Sequence, residues 1–230
     1  MSERGTELQG LDKRQKSTDD YKHLTGPYLY FIEPFEKLLK DEVVRIAKKY
    51  RFLNILDMCC GLGTQCILLA KHRFKVAGVD LSPSMIAKAR EIGPASISYH
   101  VGDAGNTPFK AGSFDAVVIT MALHEKEHEK RHEIIKEIER LLKQGGYAVV
   151  IDYGCLAGRE QNFNISLLPL WAVNGTIRTI EKLAGKEHYE NYKDWLKRGG
   201  LRMLGNFNFS LVEKQEFYLG AIELIVAKRV

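Results

Sequence analysis

A doubly wound α/β fold, with a mostly parallel seven-stranded sheet and a helical cap inserted before the last two strands, is what this 230-residue sequence predicts. Three observations carry the prediction. Five short apolar runs alternate with helical patterns as far as Ile151, a stretch of helical periodicity from about Arg159 to Arg198 breaks that rhythm, and two further β-like runs follow it.

Taken in order, the first 20 residues are polar and aperiodic and read as a flexible segment, with order expected from Tyr21 onward. Phe35, Leu38, Leu39, Val43, Val44 and Ile46 recur at helical spacing between Pro34 and Lys49, so residues 21–50 are expected to supply a helical cover for one face of the sheet. The apolar runs are Phe52 to Leu56, Lys75 to Val79, Ser96 to Val101, Phe114 to Ile119 and Tyr147 to Ile151, each bounded by Gly, Asp or Pro. Strands of this kind with helices between them pair in parallel and are buried on both faces. Ile134, Ile135, Ile138, Leu141 and Leu142 form the stripe of one intervening helix, and Gly145-Gly146 reads as its stop signal. The cap, residues 159–198, carries Leu167, Leu168, Leu170, Trp171, Ile177, Ile180, Leu183 and Trp195. After Gly199-Gly200 the runs Leu201 to Leu211 and Gln215 to Ala227 predict an antiparallel pair closing the sheet edge. Residues 21–230 then form one domain.

Composition narrows the class. Hydrophobic residues at 45% and charged residues at 27% are ordinary globular values and exclude disordered, collagen-like and coiled-coil chains. The net charge of +5 is spread among interleaved acids and bases, so no nucleic-acid surface is expected. No apolar run approaches the roughly 20 residues that span a bilayer, and the N-terminal stretch lacks a signal-peptide core, so the expectation is a cytoplasmic protein. The four cysteines, Cys59, Cys60, Cys66 and Cys155, contain no CxxC pair, which fits neither a disulfide framework nor a cysteine-rich zinc site.

The chemistry concentrates at strand ends. Ile55-Leu56-Asp57-Met58-Cys59-Cys60-Gly61-Leu62-Gly63-Thr64 is an apolar strand running through an acid into a glycine-bearing turn that opens a helix. Gly61 and Gly63 would let the backbone approach a ligand where side chains would block it. This is where doubly wound sheets bind adenosine-type cofactors, and a nicotinamide dinucleotide is the competing ligand. Against it, the third dinucleotide glycine would fall at Cys66, and Asp57 would place negative charge near a pyrophosphate but suits a cationic ligand. In Val76-Ala77-Gly78-Val79-Asp80-Leu81-Ser82-Pro83-Ser84-Met85, Asp80 ends a strand where its carboxylate can accept both ribose hydroxyl protons. Ser82 is an N-cap with Pro83 at the first helical position.

Together with Gly102-Asp103-Ala104 and Phe114-Asp115-Ala116-Val117-Val118, these segments make residues 54–153 resemble the class I S-adenosylmethionine-dependent methyltransferases, and most the ubiquinone and menaquinone biosynthesis group. The matching stretches are LDMCCGLG, GVDLSPSMIAKAR, GDAGNTPFKAGSFDAVV and Glu139 to Gly146. The resemblance implies a Rossmann-like methyltransferase fold binding S-adenosylmethionine and releasing S-adenosylhomocysteine. It places Asp57, Cys59, Gly61 and Gly63 along the methionine portion, Asp80 on the ribose, Leu81 and Met85 beside the adenine, Asp103 and Ala104 at its amino edge, and Thr120 on the cofactor from the fourth strand. Cys59 stands where the family usually has glycine.

The expected activity is methyl transfer to a small-molecule or lipid-like acceptor beneath the cap. Alternatives are a nicotinamide-dependent oxidoreductase and an adenosyl-cofactor-binding protein without turnover. Activation resides in the sulfonium, so the protein aligns the acceptor and excludes water. If the acceptor carries a proton, His124, close behind the fourth strand, is the candidate catalytic base. Tyr21, Tyr28, Tyr30 and Tyr153 are candidate pocket walls. His124-Glu125-Lys126-Glu127-His128 and His128-Glu129-Lys130-Arg131-His132 both match the HExxH zinc pattern, a zinc-hydrolase alternative. Their dense charge reads as the solvated start of a helix, so no metal is expected. No NPPY or Pro-Cys motif is present to point to nucleobase methylation.

Overall fold

The computed structural model describes residues 27–154 and 168–230; for 27–35, 168–174 and 176 the backbone alone is described. The expectations for residues 1–26 and 155–167, including Tyr21 and Cys155, lie outside the described residues, as do the side chains of Tyr28 and Tyr30.

The chain enters through helix α1 (Pro27–Lys49) and then alternates: β1 (Asn54–Met58), α2 (Thr64–Lys71), β2 (Lys75–Asp80), α3 (Pro83–Ile92), β3 (Ser98–Val101), β4 (Phe114–Thr120), α4 (His128–Leu141), β5 (Leu142–Tyr153). The cap supplies α5 (Leu168–Leu183) and α6 (Lys186–Lys197), and β6 (Phe209–Phe217) and β7 (Ile222–Arg229) complete a seven-stranded sheet ordered β3-β2-β1-β4-β5-β7-β6. Strands β1 to β5 pair in parallel, and β7 pairs antiparallel with both β5 and β6. The predicted α/β class, the parallel core and the terminal antiparallel pair are all present. The order reverses at β1 and β4, which leaves a crevice at their carboxyl ends.

Burial explains the continuous apolar runs. Ile55, Leu56, Met58, Val117, Val118, Val149, Val150 and Ile151 are fully buried, because helices cover the sheet on both faces. At the far edge β6 is largely exposed and carries Glu213, Lys214 and Glu216, charges that discourage pairing with another chain. Its Glu213 accepts from Arg45 and Lys49 of α1 at 2.6 Å each, tying the helical cover to that edge. The Lys49 hydrogen bond is foremost among the contacts that hold the Glu213 carboxyl down to about 2.

Two sequence expectations need correction. Gly145-Gly146 does not end α4, which stops at Leu141; the pair sits inside β5. Leu142 pairs with Phe114 and Tyr147 with Ala116, so the residues between bulge from the strand, and Gly145 supplies the left-handed φ of 73° that the bulge needs. The terminal strands are also displaced. Most of the run from Leu201 is a 3-10 segment (Gly200–Asn206), whose Leu201 and Leu204 are buried at a spacing of three residues. The chain reverses at Tyr218–Gly220, where Tyr218 and Leu219 adopt positive φ, inside the second predicted run.

Candidate active site

The residues singled out at strand ends converge on the carboxyl edge of the sheet. Beyond β1, Cys59, Gly61 and Gly63 all have positive φ, of 59°, 51° and 70°. A left-handed residue with a Cβ costs roughly 1–2 kcal/mol, a strain that glycine at the Cys59 position would not carry. The two glycines differ in what they require. A Cβ on Gly61 would meet nothing within 4 Å, so that position needs only the conformation. One on Gly63 would lie 2.3 Å from the Tyr99 hydroxyl, which donates to the Gly63 carbonyl at 3.3 Å. Room at Gly63 is therefore taken by a β3 side chain, a packing demand that the sequence reading ascribed to ligand approach.

Beneath this turn Asp57 is 3% exposed, and the Cys66 thiol donates to its carboxylate at 3.2 Å. Burial, only partly offset by that thiol and the distant Lys40, pushes the Asp57 carboxyl up to about 7. A cation arriving here would favour the ionised form. At the end of β2 the Asp80 oxygens accept from the backbone N–H groups of Gly61 at 2.8 Å and Ser82 at 2.9 Å. This anchors the β1 turn to β2 and leaves lone pairs on both oxygens. Ser82 caps α3 through Met85 N, with Pro83 at the first position as expected. Beside Asp80, Leu81 presents an apolar side chain that is 51% exposed, and Met85 is half-buried.

Asp103 and Ala104 follow β3. Ala104 is buried, whereas the Asp103 carboxylate accepts from Lys130 of α4 at 2.6 Å and from Gly105 N at 2.8 Å. Two polar side chains near the crevice lack what burial ordinarily demands. Thr120 Oγ1, at the end of β4, and both amide atoms of Gln65, in the first turn of α2, are buried with no hydrogen-bond partner among the described residues. Each such atom costs about 1–3 kcal/mol until a partner is found.

The β4 exit departs most from expectation. His124 is 4% exposed and not part of a solvated helix start, and α4 begins only at His128, so His124 and His128 share no helix face. Asp152, wholly buried at the end of β5, accepts from the backbone N–H groups of Leu123, His124 and Tyr153 and from His124 Nδ1 at 2.6 Å. Burial alone would lower the His124 pKa; the Asp152 charge and hydrogen bond outweigh it and leave the ring raised above its ordinary value. With Nδ1 committed to Asp152, Nε2 faces Glu181 at 3.7 Å. The Tyr153 hydroxyl donates to the other Glu181 oxygen at 2.7 Å, and His188 Nε2 bonds the first.

The cap is fastened over this group. Arg131, 1% exposed, donates to the Leu123 carbonyl, to Asp194 and to the Asn191 carbonyl, and its guanidinium stacks 5.3 Å from the Trp195 ring. Asn191 Nδ2 donates to the Glu125 carbonyl, and Trp195 Nε1 to the Tyr153 carbonyl. Lys126, two residues after His124, lies near enough to Asp80 and Cys59 to be felt electrostatically by both, which joins the His124 cluster to the turn. His128 and His132, the second HExxH pair, meet edge to face with ring centroids 4.3 Å apart at the start of α4, with the His132 ring bonded to the His128 carbonyl.

Sequence reading found the acids and glycines of β1 and β2, Thr120, His124 and Tyr153. It passed over Asp152, Arg131, Gln65, Glu181 and His188. Asp152 carried a signal, an acid closing an apolar strand as Asp80 does; Glu181 and His188 lie on cap helices and carried none.

A family model described as a methyltransferase domain matches residues 55–146. The chain is 37% identical over 99 residues to an uncharacterised methyltransferase of Synechocystis, covering 43% of this chain and 46% of that protein. It is 37% identical over 107 residues to a demethylmenaquinone methyltransferase of Lactococcus lactis, covering 44% of this chain and 42% of that protein. The chain thus spans less than half the length of these curated relatives. A crystal structure from Pyrococcus horikoshii superposes with a TM-score of 0.59 at 22% identity, covering 95% of this chain and 99% of that one, a likeness of fold.

Proposed function

We propose, from the premise that residues 55–146 are a class I S-adenosylmethionine-dependent methyltransferase domain, that this chain transfers a methyl group to a small-molecule or lipid-like acceptor held between the strand ends and the cap. The observation that carries the reading is the set of unsatisfied and exposed groups at one sheet edge: Thr120 Oγ1 and the Gln65 amide without partners, a buried Asp57 carboxyl, free lone pairs on Asp80, and an exposed Leu81. An adenosyl amino acid offers hydroxyls, an ammonium and an apolar ring, the complement of that set.

In this reading Asp80 receives the ribose hydroxyls, Leu81 and Met85 flank the adenine with Ala104 beside them, and Asp103 reaches the adenine amino edge by exchanging its bond to Lys130. Asp57, Cys59 and the Gly61–Gly63 turn line the amino-acid portion, with Asp57 ionised against the ammonium. Thr120 contacts the cofactor from β4. When bound, S-adenosylmethionine supplies an electrophilic methyl on a cationic sulfur. The protein's own part is to orient the acceptor and keep water out. His124 is the acceptor-side residue: Asp152 fixes Nδ1, so Nε2 is turned toward Glu181 among the rings of Tyr153, Tyr192 and His188. That aromatic wall is what supports a small or apolar acceptor; no helix among the described residues is long and apolar enough to cross a membrane.

Calorimetry with S-adenosylhomocysteine tests the cofactor half. Saturable binding is expected, and Asp80→Ala should weaken it by about 1.5–3 kcal/mol, the range for hydrogen bonds to a charged group. His124→Ala should leave that affinity intact and abolish methyl transfer in an acceptor screen. Folded protein that ignores millimolar ligand would overturn the proposal.

A further inference from the structure

The sequence reading expected no metal, and the HExxH tract it weighed does not place its first two histidines on one helix face. A different set of donors meets in three dimensions. His124 Nε2, Glu181 Oε2 and His188 Nε2 lie within 4.8 Å of one another, contributed by the β4 exit, the end of α5 and the first turn of α6. The geometry points to a divalent first-row transition-metal site at this cluster, with two imidazole nitrogens and one carboxylate oxygen as protein ligands.

Donor separation is the first support. With bonds of about 2.0–2.1 Å to each ligand, donors in a tetrahedral shell stand roughly 3.3 Å apart. The 3.7 Å between His124 and Glu181 is close to that value; His188, held against Glu181 by a direct hydrogen bond, stands less than 1 Å too near that carboxylate and within 4.8 Å of His124. Glu181 and His188 flank the short turn at Ala184-Gly185, and His188 is only partly buried, so a rotamer shift can supply the movement.

The surrounding hydrogen bonds are the second support, and the more specific one. Metal-binding histidines characteristically give their other nitrogen to a carboxylate, and ligating carboxylates are themselves hydrogen-bonded. His124 gives Nδ1 to Asp152, and Glu181 takes the Tyr153 hydroxyl on Oε1, so each presents only its remaining donor atom to the common point. Charge is the third. Asp152 and Glu181 are both almost completely buried, and buried carboxylates are found paired with cations or coordinating metals. A dication at the common point would face both. The mixed nitrogen and oxygen donors select zinc, iron(II), cobalt or nickel over magnesium or calcium.

Three protein ligands leave coordination open, as in sites that bind a substrate oxygen rather than purely structural ones. This use deepens the methyl-transfer reading and rests on it: His124 would serve an oxygen-bearing acceptor as a ligand to the cation in place of taking its proton. The metal site itself does not depend on that reading.

The experiment uses the full chain, stripped with a chelator and titrated with Co2+ near neutral pH, read by visible absorption and elemental analysis. One cobalt per chain is expected, with an intense four- or five-coordinate spectrum that Zn2+ displaces. His188→Ala should weaken binding at least about 10-fold, the order of loss seen even for supporting contacts of metal ligands. The double variant His128→Ala/His132→Ala should retain the site. S-adenosylhomocysteine binding, measured on the same samples, reports folding and the cofactor site separately. Folded wild-type protein without stoichiometric cobalt would overturn the proposal, as would cobalt retained by His188→Ala and lost with His128 and His132.

Discussion

At the scale of single residues, the β1 turn shows how a binding loop trades stability for shape. Cys59 holds a left-handed backbone that favours glycine, and as part of the turn proposed to line the cofactor it is needed for its backbone shape. Cys59→Gly should therefore raise stability or leave it unchanged: relief of roughly 1–2 kcal/mol of left-handed strain is opposed by about 0.4–1 kcal/mol of added unfolded-chain entropy. Urea denaturation at constant m-value reads the difference, and a loss of more than 1 kcal/mol would mean that the thiol packs more favourably than the strain costs.

Asp57 makes the same trade through its charge. Burial raises its folded pKa to about 7 from the ordinary value near 4, so the folded state binds the extra proton between those limits. The contribution is intact below pH 4 and is lost as pH rises through 7, a span worth roughly 4 kcal/mol from the size of the shift. Asp57→Asn should thus stabilise the ligand-free protein at pH 8 and change little at pH 4. In the proposed site the ligand ammonium favours ionised Asp57. S-adenosylhomocysteine affinity should then climb from pH 6 to pH 8 by up to about tenfold per pH unit below the pKa, with proton release seen as a buffer-dependent heat. A flat profile in the wild type would remove Asp57 from the cofactor site; a flat profile in Asp57→Asn is the expected control.

At the scale of elements, α6 is held by polar ties from Arg131 and Asn191 as well as by the buried rings of Tyr192 and Trp195. Arg131 lies inside a tract whose sequence looks uniformly solvated, yet it is almost fully buried and bridges α4, the β4 exit and α6. Lysine cannot reproduce that fork of donors. Arg131→Lys should cost about 1–3 kcal/mol through carbonyls and Asp194 left poorly paired, and amide exchange should quicken in α6 before it does in β4 or β5. Uniform acceleration across the sheet would show that Arg131 supports the core and not the cap. Because His188 rides on α6, the same substitution should also loosen the His124 cluster.

At the scale of the whole molecule, the legible and illegible parts divide by the range of the forces that set them. Periodicity, strand-end acids and glycine turns are local: a strand buried on both faces must be apolar throughout, a left-handed turn favours glycine, and a capped helix shows Ser82 followed by Pro83. Those features determined the α/β class, the parallel core from β1 to β5, and the positions of Asp57, Gly61, Asp80 and Thr120 along one edge. The sequence pattern also led to His124. What only the tertiary structure decided was set by contacts between distant segments. Gly63 is glycine because Tyr99 arrives from β3. The chain reverses at Tyr218–Gly220, away from the predicted turn, because β7 takes its register from β5 and β6 on either side. His124 is buried, oriented by Asp152 and faced by Glu181 and His188 because cap helices far along the chain close over the β4 exit. Charge patterns in sequence show which side chains can be solvated. They do not show which of them another helix will cover, and at the His124 cluster that covering brings two buried carboxylates and the buried His124 ring against the partly buried His188.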